Sequence, residues 1–123
     1  MRESDRELYD RAVAVAERAY APYSRFHVGA AVRAADGRVF EGVNVENAAY
    51  PLGVCAERSA LTRAVTDGCK PGDLEAIGIT ASPCGGCRQW LAEFQLRRVI
   101  YKSPAGEVVS ATPADLLPDT FEL

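Results

Sequence analysis

Two short segments carry the residue types that can do chemistry: Cys55-Ala56-Glu57 and, after enough chain for a helix and a strand, Pro83-Cys84-Gly85-Gly86-Cys87. Three thiols and one carboxylate suit a zinc ion held by three sulfurs with one position free for water, the arrangement of a catalytic rather than a structural site. Each cysteine group falls at an expected helix start, where unpaired N–H groups and the helix dipole favour thiolate over thiol. Gly85 and Gly86 let the backbone turn tightly enough for Cys84 and Cys87 to meet one ion at roughly 2.3 Å each. Glu57 lies two residues beyond Cys55, too close for a comfortable fourth ligand. It is near enough to hold a water at the free position, which suits a proton shuttle. Arg58, beside it, could donate to a thiolate and offset the charge of −1 that three thiolates on Zn²⁺ would leave.

Other readings of the same residues are weaker. A structural zinc would need a fourth protein ligand, from Cys69 or His27, the single histidine. A cysteine nucleophile would need a base such as His27, and would leave Glu57 and the paired cysteines unexplained. A zinc-stabilised binding module without turnover would make Glu57 dispensable. Cys69, in a Gly68 to Gly72 loop, reads as an incidental thiol.

The elements that must position these groups follow from periodicity. Ser4 is the expected cap of a first helix whose apolar side is Leu8, Ala12, Val13, Val15, Ala16 and Ala19, stopping near Ala21-Pro22. Val28 to Ala34 and Val39 to Asn44 flank an Asp36-Gly37 turn and read as a hairpin. Cys55 to about Thr66 reads as a second helix with Leu61, Ala64 and Val65 inward, Leu74 to Thr80 as a buried strand, and Gly86 to Phe94 as a third helix. Arg98 to Lys102 and Glu107 to Ala111 are further strands, and Thr112 caps a short last helix with Pro113 at its first position. The order predicts an α/β fold: a three-layer α/β/α sandwich around a mixed sheet of about five strands, with residues 1–123 as a single domain.

Composition excludes little else. The net charge is −3 and the 14 basic residues are dispersed, so no electrostatic footprint for nucleic acid is visible. A charged stretch follows Met1, and nowhere do eighteen apolar residues run together, so neither a secretory signal nor a membrane span is expected. Four cysteines without such a signal are expected to be reduced and the chain cytoplasmic.

The Cys-Ala-Glu and Pro-Cys-x-x-Cys pair is the zinc deaminase signature with cysteine as the first ligand. From Tyr20 to Phe121 the chain resembles the small homotetrameric cytidine deaminases that act on free nucleosides. The resemblance is carried by Ala21 to Phe26, Asn44 to Gly53, Cys55 to Arg58, Ser82 to Gln89 and Leu116 to Pro118. It implies that Cys55, Cys84 and Cys87 hold zinc, that Phe26 packs on the nucleoside, and that Asn44 and Glu46 hold the ribose 3′-hydroxyl. The Ala56 backbone would contact the pyrimidine carbonyl, and Phe121 would reach a neighbouring subunit's pyrimidine in a homotetramer, with Tyr23 and Tyr50 near the subunit contacts. The implied reaction is hydrolysis of cytidine and deoxycytidine to uridine, deoxyuridine and ammonia; a blasticidin-type aminopyrimidine deaminase is the alternative. An acidic Glu46 in the sugar pocket would repel a phosphate, which favours a nucleoside over a nucleotide. Only Ala81 and Ser82 separate Thr80 from Pro83, fewer residues than the family usually has, which predicts a more open pocket and tolerance of N4- or base-modified cytidines. Trp90 stands where the family more often has a smaller aliphatic residue.

Overall fold

In the computed structural model, which describes all residues 1–123, strand alternation explains how one sheet supports two helical layers. Along β1 (Gly29–Ala34), Ala30, Val32 and Ala34 point to one face and Ala31 to the other, as a pleated strand requires. The pattern repeats in β3 (Leu74–Ile79), where Ile77 and Ile79 oppose Ala76, and in β4 (Arg98–Lys102), where Val99 opposes Ile100. These strands are apolar on both faces because both faces are covered.

With β2 (Val39–Val43) and β5 (Val108–Ala111) at the edges, the sheet runs β2-β1-β3-β4-β5. Only the β3–β4 pair is parallel; β1 pairs antiparallel with both β2 and β3, and β5 antiparallel with β4. The smaller core lies under α1 (Glu3–Val15), where Leu8, Tyr9 and Ala12 meet Ala31, Ala76 and Ile100. The larger core lies on the opposite face under α2 (Ala56–Thr66) and α3 (Gly85–Glu93), and includes Ala60, Leu61, Ala64 and Leu91. A short α4 (Pro113–Leu116) follows β5 and packs near α3. The expected mixed five-strand sheet between helical layers is therefore observed.

Some local expectations are corrected. The first helix is capped at Arg2 without a side-chain bond, and Ser4 lies within its first turn. It ends at Val15 and continues only as a 3-10 turn over Ala16–Arg18, short of Ala21. Val13 and Val65 are both nearly half exposed rather than inward, because the sheet reaches only the stripe through Leu8 and Ala12 on α1 and through Leu61 and Ala64 on α2. At the other end of the chain the cap is as expected: the Thr112 hydroxyl accepts from Asp115 N and the Asp115 carboxylate accepts from Thr112 N.

Two features place α2. Gly42 faces its first turns so closely that a Cβ there would overlap Ala60 N, so β2 and α2 approach backbone to backbone. Upstream, Val45 exchanges backbone hydrogen bonds with Val54 at 2.9 and 2.8 Å, tethering the segment that leads into Cys55. No helix is long and apolar enough to cross a membrane.

Candidate metal centre

The two cysteine segments meet because each opens a helix that packs on the same face of the sheet. Cys55 is the N-cap residue of α2 and Cys84 that of α3, both in extended backbone, and the Cys84 sulfur accepts from Cys87 N at 3.5 Å. The three sulfurs lie within 4.8 Å of one another. Cys55 Sγ and Cys84 Sγ are 3.9 Å apart, beside the roughly 3.8 Å that tetrahedral Zn–S bonds of about 2.3 Å imply. All four cysteines are free thiols.

The thiols of Cys55 and Cys87 shift each other's proton affinity in opposite directions. Hydrogen bonding from Cys87 brings the Cys55 thiol down to about 6 against its partial burial, with further help from Cys84 and the Arg58 charge. The same contact with Cys55, with burial and the negative charge of Glu57, pushes Cys87 far up. A divalent cation held among the sulfurs would favour the thiolate form of each. The residues present thus fit zinc in number, spacing and chemistry.

Beside the thiols, Glu57 is 4% exposed. Burial raises its carboxyl above the ordinary value, and the charge of Cys55 adds to this; hydrogen bonds from its own backbone N–H and from Cys87, and the Arg58 charge, only partly oppose the rise. A carboxyl that holds its proton more tightly than usual is suited to taking and returning one. Arg58 is driven the other way by burial, which disfavours its charge, but the charges of Cys87, Cys55 and Cys84 and a hydrogen bond to Cys87 more than compensate, so it stays firmly cationic.

The loop before Cys84 is held by a residue that sequence reasoning gave no role. Arg88 Nε donates to Pro83 O at 2.9 Å, its Nη1 to Leu116 O at 2.9 Å and its Nη2 to Ser82 Oγ at 3.4 Å. Its position in the first turn of α3, next to a cysteine pair, was the available signal. The hydroxyl of Thr80 accepts from Gly29 N at 3.0 Å and fixes the start of that loop against β1.

A second group forms around the segment 20–28. Asn44 Oδ1 accepts from Val28 N and Asn44 Nδ2 donates to Phe26 O, both at 2.8 Å. Glu46 Oε1 accepts from Tyr23 N at 2.9 Å and Ser24 N at 3.1 Å, and the Ser24 hydroxyl donates to Glu46 Oε2. Hydrogen bonds from the Ser24 hydroxyl and then from the Ser24 and Tyr23 backbone hold the Glu46 carboxyl below its usual range. Asn44 and Glu46 thereby pin the loop that presents Phe26, which is 61% exposed. Ser24 was the missed partner here. Ala56 is buried next to Cys55. Phe121 is apart from both groups: it stands 71% exposed, Gln89 Nε2 donates to its carbonyl at 3.4 Å, and it lines a groove with Gln89, Glu93 and Thr112 that contains none of the thiols. Cys69 is buried near Arg38 Nη2 and away from the cluster, and His27 is exposed.

Three convergent thiols beside a buried carboxyl, at helix starts along one edge of a layered α/β domain, are the construction of a metal-dependent hydrolase. Comparison with known proteins narrows the class. Residues 2–103 match the family model described as the cytidine and deoxycytidylate deaminase zinc-binding region. A cytidine deaminase of Halalkalibacterium halodurans is 42% identical over 122 residues, covering 93% of this chain and 91% of that protein. One from Sporosarcina psychrophila is 43% identical over 113 residues, covering 85% and 82%. The crystal structure of cytidine deaminase from Burkholderia pseudomallei superposes with a TM-score of 0.88 at 44% identity, over 98% of this chain and 100% of that one. The chain belongs to the cytidine and deoxycytidylate deaminase family.

Proposed function

We propose that this chain is a cytidine deaminase that converts cytidine and deoxycytidine to uridine and deoxyuridine with release of ammonia. The observation that carries this reading is the convergence of Cys55, Cys84 and Cys87 beside buried Glu57 in a chain that matches the deaminase family over residues 2–103. Cys55, Cys84 and Cys87 would hold a zinc ion, and the chemistry it would supply there is activation of a water as the nucleophile for C4 of the cytosine ring. Glu57 is the catalytic residue: its carboxylate accepts a proton from the attacking water and delivers it to N3, then takes the remaining proton from the hydroxyl added at C4 and passes it to the exocyclic amine, which leaves as ammonia while C4 becomes a carbonyl. Its raised proton affinity supports both transfers. Arg58 offsets thiolate charge and keeps the centre electrophilic.

Asn44 and Glu46 receive the ribose 3′-hydroxyl, Phe26 packs on the nucleoside and the Ala56 backbone meets the pyrimidine carbonyl. Support for this comes from the hydrogen bonds that tie Asn44 and Glu46 to the Phe26 loop, so that one rigid corner carries all three side chains. Residues 1–123 act as one catalytic domain, in a cytoplasmic enzyme whose reduced cysteines suit that compartment. The active unit is a homotetramer in which Phe121 completes a neighbour's site. Tyr20, Tyr23, Phe26, Tyr50, Leu52 and Phe121 are each more than half exposed, an unusual number of large apolar groups for a lone protomer. The connection from β3 to α3 is short and leaves Cys84 exposed, which favours acceptance of cytidines with substituents on N4.

The test is the loss of cytosine absorbance on incubation with cytidine, run with zinc quantification and a Glu57→Gln control. One zinc per chain with turnover abolished in the control is expected. Zinc without turnover of cytidine, deoxycytidine or an N4-alkyl cytidine would refute the deaminase assignment. Turnover of a modified aminopyrimidine nucleoside alone would move it to the blasticidin-type alternative.

A further inference from the structure

We infer that Trp90 is a positioning residue for the metal centre: its indole and the missing side chain of Gly86 form a slot that aims the Arg58 guanidinium at the three thiols. The inference rests on the zinc deaminase reading above and adds to it a residue on α3 outside the three thiols and Glu57.

Arg58 is held in an unusual way. Its Nε is buried and has no hydrogen-bond partner, and none of the ion pairs in the protein includes it. Arginine side chains carry five donors on a long flexible stem, so one left without an acidic partner needs something else to select its rotamer. Two features do so. The Arg58 Cζ lies over the Trp90 ring, 5.9 Å from its centroid. On the other side, the guanidinium occupies the space of a side chain at Gly86, where a Cβ would overlap Arg58 Nη2.

Trp90 is itself a fixed wall. It stacks on Phe94 with centroids 6.0 Å apart and planes 19° from parallel, and both rings pack against the larger core. The result is a column of guanidinium, indole and phenyl running from the thiols along α3.

The neutrality of this wall has a consequence. A carboxylate in place of Trp90 would fix the guanidinium equally well but cancel its charge before it could act on the sulfurs. An aromatic face holds a weakly hydrated cation without consuming its N–H groups, so the full positive charge and the in-plane donors remain for the thiolates. Trp90 acts on zinc only through Arg58, and that route separates it from a residue that merely fills the core.

The experiment measures zinc affinity of the full chain by competition with a chromogenic chelator, in wild type, Trp90→Leu, Trp90→Phe, Arg58→Gln and the Arg58→Gln/Trp90→Leu double variant. Trp90→Leu is expected to weaken zinc binding about tenfold, in the range seen for residues that orient metal ligands. Trp90→Phe, which keeps an aromatic face, recovers most of that loss. In the Arg58→Gln background the Trp90→Leu change shifts affinity by less than about twofold, since the partner it acts through is gone. Should Trp90→Leu fail to fold, the indole emission of the wild type and of Arg58→Gln still tests the slot. Trp90 is the only tryptophan, so its emission should change on zinc removal in wild type and change less in Arg58→Gln. Unaltered zinc affinity in Trp90→Leu, an equal loss in both backgrounds, or emission indifferent to Arg58 would overturn the positioning role. Those outcomes beside normal zinc content and cytidine turnover strike this inference alone, whereas a wild-type chain that takes up no zinc overturns the deaminase reading with it.

Discussion

At the scale of single residues, the site divides work between groups that take part in the chemistry and groups that hold other groups still. Glu57 belongs with the first because it is buried against the thiols with its proton affinity raised. Replacing it by Gln keeps shape and burial but removes the transferable proton. The expected outcome is zinc retained at one per chain with kcat lowered about 10³-fold or more, checked by metal analysis beside steady-state kinetics. Asn44 has a structural task regardless of what it binds: two hydrogen bonds, to Val28 N and Phe26 O, fix the Phe26 loop. Asn44→Ala leaves both backbone groups without that partner and should cost about 1–3 kcal/mol, read as a lower denaturant midpoint. KM for cytidine should rise more than kcat falls, because a loosened loop weakens ground-state and transition-state binding alike.

Among the elements, α1 carries no site residue yet is bolted to the sheet by a buried charge cluster. Asp5, 1% exposed, accepts from Arg33 Nη2 at 2.7 Å and from Arg98 Nε at 2.6 Å. Glu75 accepts from the same two arginines at 2.9 and 3.0 Å. Burial works to raise the Asp5 carboxyl, but the hydrogen bonds and charges of Arg98 and Arg33 outweigh it and hold it low; hydrogen bonding from Arg33 leads the lowering of Glu75. Folded values below unfolded ones mean that both acids contribute stability in full above the ordinary carboxylate range near about 4 and lose it as pH falls through the lowered folded values. Thermal melts between neutral and acid pH should therefore show a drop on the acid side that Asp5→Asn flattens. The same substitution should cost about 1–3 kcal/mol at neutral pH, because it removes one of the two carboxylates that the arginines share and leaves them Glu75 alone. Zinc content and kcat at low temperature should stay unchanged, since the cluster lies on the face opposite α2 and α3.

For the whole molecule, the concentration of exposed tyrosine, phenylalanine and leucine on the loops around residues 20–26 and 50–52 points outward from a protomer whose own core is already filled. Sedimentation velocity should return a tetramer, and Tyr50→Asp, at a side chain 91% exposed, should shift it toward smaller species without lowering the zinc bound per chain. Removal of zinc by a chelator should lower the melting temperature, because the ion joins the starts of α2 and α3, which otherwise share few contacts.

The amino-acid sequence by itself determined the chemistry and most of the architecture. Cysteine spacing singled out the three thiols that the fold brings together, apolar runs of strand length placed β3 and β4, and Thr112-Pro113 set the cap of α4, since each of these signals is local. Helix faces were less legible: Val13 and Val65 satisfy a helical period as well as Ala12 and Ala64 do, and only the position of the sheet decides which of them is covered. The same limit applied to the site. That Glu46 bonds the Tyr23–Ser24 backbone, that Arg88 ties the Pro83 loop to α4, and that the Arg58 guanidinium lies between Trp90 and Gly86 are contacts between segments distant in the chain or on different helices. Tertiary structure alone decided them, because hydrogen bonds and stacking depend on distances that packing sets and that residue order does not encode locally.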